Sequence, residues 1–410
     1  MSYQVIARKW RPQTFEEVTG QEPITRTLKN AIEHERLHHA YLFSGARGVG
    51  KTTSARLFAK ALNCHKSDKP TVSPCSFNDA TACVSCVEIA EGRSIDVLEI
   101  DAASNTGVQN VRDSIIDQID TRPARDRYKV FIIDEVHMLS TQAFNALLKT
   151  LEEPPPNIIF IMATTELHKV PETILSRCQQ FEFRTIALIK IAERLKIIAD
   201  AEKIAVSEIA LREIARAGEG SMRDAQSAFD QVISFSGESI DVNDVTNALG
   251  IASADLLTRV VSAIDAQNAL EALKVVDDLV SRGQDLRNYC RDLSTFLRDL
   301  LVAKVAGDGA ENLLESSSAS FEDLRKYAEK FSESDLTRFF HSLSETETLL
   351  RTATQPRYVL EIGLVKLIEM KRVAGLEKVF ERLLKLEQTF TNADFTPNQN
   401  SDSKKKLTNQ

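Results

Sequence analysis

The chain has 410 residues, enough for about three domains that each close their own hydrophobic core. Hydrophobic residues make up 43% and charged residues 27%, and the formal net charge is -8, which excludes phosphate binding over the whole surface and leaves only local or assembly-shared contact with nucleic acid. No stretch approaches the roughly 18 apolar residues of a membrane span, and the basic start at Arg8, Lys9 and Arg11 has no apolar run behind it as a secretory signal would.

From the N-terminus to about residue 185, short apolar runs alternate with helical patterns, which predicts a parallel sheet covered by helices. Strands are expected at Ala40 to Ser44, Ile95 to Ile100, Val130 to Ile133, Ile158 to Ala163 and Gln180 to Phe183. Directly after the first comes Gly45-Ala46-Arg47-Gly48-Val49-Gly50-Lys51-Thr52, which fits the phosphate-binding pattern G-x-x-x-x-G-K-[ST], with Thr53 next in the helix start. Its glycines let backbone N–H groups turn onto phosphate oxygens, and the helix start adds the positive end of its dipole. Lys51 reaches the β- and γ-phosphates, and the Thr52 hydroxyl takes a place on Mg²⁺. The alternative, a glycine-rich turn that binds nothing, is weakened by the flanking strand and helix.

Next along the chain, Cys64, Cys75, Cys83 and Cys86 supply the four thiolates that close a tetrahedral structural Zn²⁺ site. Their role is then stability and not catalysis, with free thiols as the alternative. His65 reads as a surface residue, and the isolated Cys178 and Cys290 as buried thiols. The apolar run from Val130 ends in Asp134 and Glu135, which suits metal positioning by Asp134 and water activation by Glu135, and so implies hydrolysis. A solvated strand end is the competing reading, and the order after the phosphate loop counts against it.

The helix expected at Thr141 to Glu152 repeats Phe144, Leu147, Leu148 and Leu151 on one face and stops at Pro154-Pro155-Pro156. From about Ala187 to Gly250 the strands stop, and short helices are punctuated by Gly218, Gly220, Gly237 and Gly250, with Ser221 and Asp241 as N-caps. Ile251 to about Arg382 is again helical, with amphipathic stretches at Leu270 to Val280 and Arg357 to Arg372. Asn392 to Gln410 reads as a disordered tail.

The run Asp134-Glu135-Val136-His137-Met138-Leu139-Ser140 and the helix end Leu148-Lys149-Thr150-Leu151-Glu152-Glu153-Pro154-Pro155 resemble the clamp-loader ATPases. So do the opening Trp10-Arg11-Pro12 and Val18-Thr19-Gly20-Gln21-Glu22, and within that group the chain is most similar to bacterial DNA polymerase III gamma/tau subunits. The resemblance is specific from Ser2 to about residue 250 and looser beyond. It implies an α/β AAA+ P-loop domain over 1–185 with a zinc-binding insertion at about 63–92, a small all-helical lid over 186–250, an all-helical oligomerisation collar over 251–382, and a helix end and tail over 383–410. It further implies ATP, Mg²⁺ and Zn²⁺ as cofactors and a cytoplasmic location away from membranes. The partners it implies are the other clamp-loader subunits in a ring, the sliding clamp, primer-template DNA and the polymerase holoenzyme.

Three further residues take roles through the same resemblance. Thr165 matches the sensor that holds the attacking water beside Glu135, Arg177 in Ser176-Arg177-Cys178 matches an arginine finger acting on a neighbour's ATP, and Arg223 matches the lid arginine that touches the γ-phosphate. The competing readings are an Arg177 salt-bridged on its own domain and an Arg223 that is a solvated charge at a helix start. The stretch Ala103-Ser104-Asn105-Thr106-Gly107 corresponds to the loop that follows the DNA backbone, here without the basic residues that relatives often carry. The cysteine segment departs from the family in the longer gap between Cys75 and Cys83, which makes Cys75 the weakest of the four ligands. Two rival functions are a silent clamp-loader subunit that donates Arg177 without binding ATP, and another ring ATPase such as a branch-migration motor or unfoldase.

Overall fold

Five strands, β1 (Ala40–Gly45), β2 (Val97–Asp101), β3 (Lys129–Asp134), β4 (Ile158–Thr164) and β5 (Gln179–Phe183), run parallel in the order β2-β3-β4-β1-β5 in the computed structural model. The structure describes residues 4–76, 79–104, 117–119, 121–237, 239–251, 254–306, 314, 321–372 and 384–385. Two separate compact units divide at Leu249 and Gly250.

Both faces of the sheet are covered, which is why its strands read as unbroken apolar runs. Successive side chains alternate between faces. Tyr41, Phe43, Val130, Ile132, Ile159 and Ile161 pack with Phe58 and Leu62 of the helix that follows the phosphate loop. Ala40, Leu42, Phe131, Ile133, Phe160 and Met162 pack on the other face with Phe144, Leu147 and Leu151. The register sets Ser44 opposite Thr164 and Asp101 opposite Asp134, so the carboxyl ends of β1, β3 and β4 finish side by side. β4 lies between β1 and β3, and the crevice outside such a strand-order reversal is where open α/β sheets take ligands.

The helices of four residues or more in this unit are α1 (Ile6–Lys9), α2 (Glu22–Glu33), α3 (Lys51–Asn63), α4 (Val84–Glu91), α5 (Thr141–Glu152) and α6 (Glu172–Leu175), followed by α7 (Leu188–Glu202), α8 (Glu208–Ala217), α9 (Met222–Ser236) and α10 (Val242–Leu249). Ser140 caps α5 by accepting the Ala143 N–H, and Ser221 caps α9 by accepting the Asp224 N–H. Asp241 and Asp244 exchange side-chain and backbone bonds at the start of α10.

Two expectations are corrected here. β2 starts at Val97, and Ile95 is 70% exposed, because an isolated β-branched residue before the run has no partner strand to cover it. The segment after residue 187 is not purely helical: β6 (Ala205–Val206) and β7 (Ser239–Ile240) pair in parallel and clip the end of α7 to the start of α10. Two-residue strands are too short to leave a periodicity in the sequence.

The N-terminal peptide straps both halves of this unit together. The Ile6 N–H donates to Asp230 on α9 at 3.0 Å, the Trp10 indole donates to Glu202 at the end of α7 at 2.7 Å, and Lys9 pairs with the same carboxylate. These bonds hold the Glu202 carboxyl below the ordinary range, the Lys9 ammonium first. Further on, Phe15 and Val18 are buried in the sheet core.

The second unit is helical among its described residues: α11 (Ala254–Asp265), α12 (Ala269–Ser281), α13 (Leu286–Ala306), α14 (Phe321–Ala328), α15 (Glu333–Thr352) and α16 (Pro356–Arg372). Asn268 caps α12, and Ser332 with Asp335 forms a capping box on α15. The core includes Leu256, Val276, Tyr289, Phe296, Phe339 and Leu364. The tail from Asn392 and most of 383–410 lie outside the described residues.

Candidate functional site

The phosphate loop leaves β1 at Gly45 and enters α3 at Lys51. Gly50 takes φ +104 and ends the loop in a left-handed turn that an L side chain would strain. Lys51 is 6% exposed, and its ammonium donates to the Gly45 and Ala46 carbonyls at 2.8 Å each. Burial pulls its pKa below the ordinary lysine value, while Glu135 and Asp134 act in the opposite direction.

From the next strand end, Asp134 Oδ2 accepts the Thr52 hydroxyl at 2.7 Å. Two hard oxygen donors from separate elements thus meet beside the loop, which is the donor chemistry that Mg²⁺ prefers. Glu135 follows in a left-handed conformation, φ 47 and ψ 47, which costs a non-glycine residue roughly 1–2 kcal/mol. Its carboxylate is held all the same: Oε2 accepts the Thr165 N–H at 3.2 Å and the Thr165 hydroxyl at 3.0 Å.

Gly50, Lys51, Thr52, Asp134 and Glu135 wall one cavity together with Arg47, Gly48, Thr53, Arg11, Arg194, Met222, Arg223 and Gln226. Arg223, one residue into α9, donates its backbone N–H to the Gly48 carbonyl at 3.3 Å. Arg11 is half-buried, and its guanidinium is pulled below the ordinary value by burial first and then by the Arg56 charge. Arginines, a lysine and a cavity rich in backbone N–H groups form a seat for a polyanion.

Arg177 lies elsewhere. It is not among the residues lining this cavity, and it pairs with Glu152 at 2.6 Å and donates to the Thr173 carbonyl at 2.7 Å. The surface ion pair on its own domain is therefore what the isolated chain shows. Of the loop from Ala103, only Ala103 and Ser104 are described, both hydrogen-bonded to Asp101; Asn105, Thr106 and Gly107 lie outside the described residues.

The four cysteines converge where α3 ends and α4 begins. Cys64 is the residue after α3, Cys83 the residue before α4, Cys86 lies in its first turn, and Cys75 comes from the loop between. All four Sγ atoms lie within 4.8 Å of one another, with Cys64 and Cys75 at 3.6 Å. A tetrahedral site with Zn–S near 2.3 Å has S···S edges of about 3.8 Å. The donors present therefore fit Zn²⁺, and Cys75 stands with the other three despite its longer spacing. The ammonium of buried Lys60 donates to the Gln13 side chain at 3.2 Å, and burial pulls its pKa below the ordinary lysine value while Cys86, Cys75 and Cys64 act in the opposite direction. His65 turns its ring away to Asp126 at 2.9 Å, as a residue beside the site and not in it. Cys290 is buried and Cys178 half-buried, its thiol pushed up to about 12 by burial.

Family models match in three consecutive stretches: "DNA polymerase III, delta subunit" over residues 20–187, "DNA polymerase III clamp loader subunit, ATPase lid domain" over 190–238, and "DNA polymerase III subunits gamma and tau domain III" over 240–383. The Bacillus subtilis DNA polymerase III subunit tau is 42% identical over 93% of this chain and 69% of its own length. The chain belongs to the DNA polymerase III gamma/tau family. The Escherichia coli tau subunit is 40% identical over 89% of this chain, which spans 55% of that longer relative. Among solved structures, Thermotoga maritima RuvB, a Holliday junction branch migration motor, overlaps 62% of the chain and 79% of its own at 18% identity and a TM-score of 0.44. The Bacillus subtilis DNA clamp loader delta protein overlaps 84% of this chain and 99% of its own at 15% identity and a TM-score of 0.35.

For a gamma/tau chain, the α/β AAA+ core, lid and helical C-terminal unit follow the order expected from sequence. No helix among the described residues is long and apolar enough to cross a membrane. Sequence reasoning named Lys51, Thr52, Asp134, Glu135 and Arg223, and the structure brings them to one cavity, with Thr165 bonded to Glu135. It gave no role to Arg11, Arg194 and Gln226, which line the same cavity, or to His137 beside Glu135. The signal for Arg11 was present in the Trp10-Arg11-Pro12 opening; Arg194 and Gln226 reach the cavity from lid helices and leave no local pattern.

Proposed function

We propose that this chain is an ATP-hydrolysing motor subunit of a bacterial clamp loader, working in the cytoplasm within a ring of related subunits that opens a sliding clamp and leaves it on primer-template DNA for the polymerase holoenzyme. The observation that carries this reading is the meeting of Thr52 with Asp134 beside the phosphate loop, next to a Glu135 carboxylate held by Thr165. A silent subunit has no use for that arrangement. ATP is the substrate, with its phosphates on the backbone of Gly45 to Thr53 and on Lys51. Thr52 and Asp134 would hold Mg²⁺, whose chemistry there is to neutralise charge on the phosphates. Glu135 takes the proton of the attacking water, and Arg223 binds the γ-phosphate from the lid. Arg177 serves the neighbouring subunit's ATP. Cys64, Cys75, Cys83 and Cys86 would hold a structural Zn²⁺, and the C-terminal helical unit supplies the collar.

The test compares wild-type and Lys51→Ala chains in ATP turnover, with and without partner subunits, clamp and primed DNA. Wild-type turnover should rise in the full mixture, and Lys51→Ala should show neither turnover nor clamp loading at unchanged thermal unfolding. Tight ATP binding with normal turnover in the variant overturns the reading.

A further inference from the structure

His137 sits in the single turn after β3 with only 6% of its side chain exposed, and it faces the hydrolytic carboxylate instead of the apolar core. Its Nδ1 lies 3.0 Å from the Thr164 hydroxyl and 3.5 Å from Glu135 Oε2, the oxygen that also accepts both Thr165 bonds. Its Nε2 lies 3.5 Å from Glu166 Oε1. Thr164 Oγ1 also accepts the Glu166 N–H at 3.0 Å. The Glu166 carboxylate is itself tied to Lys169 at 2.8 Å.

We infer that His137 is a positioning residue for hydrolysis: its ring, anchored by Thr164 and Glu166, closes off the space beside Glu135 Oε2 and keeps that carboxylate in the rotamer that Thr165 selects. Glu135 needs such a stop. Its side chain is 30% exposed, its backbone is in a left-handed turn, and the two hydrogen bonds that its carboxylate accepts from Thr165 both engage a single oxygen. A histidine that only filled space would not stand between two carboxylates. His137 is not itself among the residues lining the cavity, whereas Glu135 is, so the ring acts through Glu135.

This inference rests on the proposal that Glu135 activates water for ATP hydrolysis, and the experiment separates the two. Steady-state ATP turnover and ATP affinity are measured on the full chain for Glu135→Gln, His137→Phe and His137→Asn, with thermal unfolding recorded for each. Phenylalanine keeps the ring and loses both nitrogens; asparagine places an amide near the position of Nδ1. His137→Phe should lower kcat by roughly ten- to a hundredfold with KM for ATP unchanged, the pattern of a misplaced reacting group, and His137→Asn should recover most of that loss. If Glu135→Gln is inactive while His137→Phe keeps kcat within about twofold, the inference on His137 is wrong and the ATPase proposal stands. Equal losses in both His137 variants that track their loss of thermal stability also overturn it. Undiminished turnover in Glu135→Gln removes the underlying proposal itself.

Discussion

Gly48 is where the phosphate loop and the lid touch. It takes φ +73, its carbonyl accepts the Arg223 N–H, and a Cβ added there would collide with the Ser221 hydroxyl and come within 3.2 Å of the Arg223 Cβ. Gly48→Ala should therefore weaken ATP binding by about tenfold or more, while the left-handed backbone alone costs only about 1 kcal/mol of stability. A nucleotide titration alongside a thermal melt checks this, and unchanged affinity would show that the lid contact is not needed to hold ATP. The residues of the loop were legible because Lys51 and Thr52 must stand at fixed distances from its glycines. Asp134 and Glu135 were legible because they end a strand. Arg194 and Gln226 were not, since a long side chain that reaches a cavity from a separate element obeys no spacing rule.

At the scale of elements, the four cysteines join the end of α3 to the start of α4, and α3 is also the helix that begins at Lys51. Cys83→Ser should release about one zinc per chain and lower the unfolding temperature, leaving the residues around the phosphate loop in place. Elemental analysis of wild-type protein purified without chelator decides the metal; its absence refutes the site. The strands of the sheet were readable nearly to their ends because burial on both faces forces continuous apolar runs such as Val130 to Ile133. Helix α5 was readable over its whole length, Thr141 to Glu152, and at the prolines that stop it. The β6 and β7 pair was not, because Ala205–Val206 and Ser239–Ile240 are held by backbone bonds between distant segments and not by any local preference.

For the whole molecule, the decisive question is whether one chain completes the site of another. Arg177 is bound to Glu152 on the surface, and an exposed pair of this kind is worth only about 0–1 kcal/mol, so releasing the guanidinium toward a neighbour costs little. Arg177→Ala should bind ATP normally yet lose the stimulation that assembly gives, an effect of about 10³ to 10⁵ for arginine fingers generally. Mixing Arg177→Ala chains with Lys51→Ala chains should restore part of the activity, because one interface then pairs an intact loop with an intact finger. No recovery in mixed rings that demonstrably assemble would assign Arg177 to its own subunit. The N-terminal strap sets a further limit on such a cycle. Trp10 is fastened to the lid through Glu202, and Phe15 is fixed in the sheet core. The five residue steps from Trp10 to Phe15 reach at most about 18 Å when fully extended. The peptide is thus a tether of known length, and it caps the stroke: at that edge the lid cannot travel farther from the sheet than the tether allows without first giving up the indole bond.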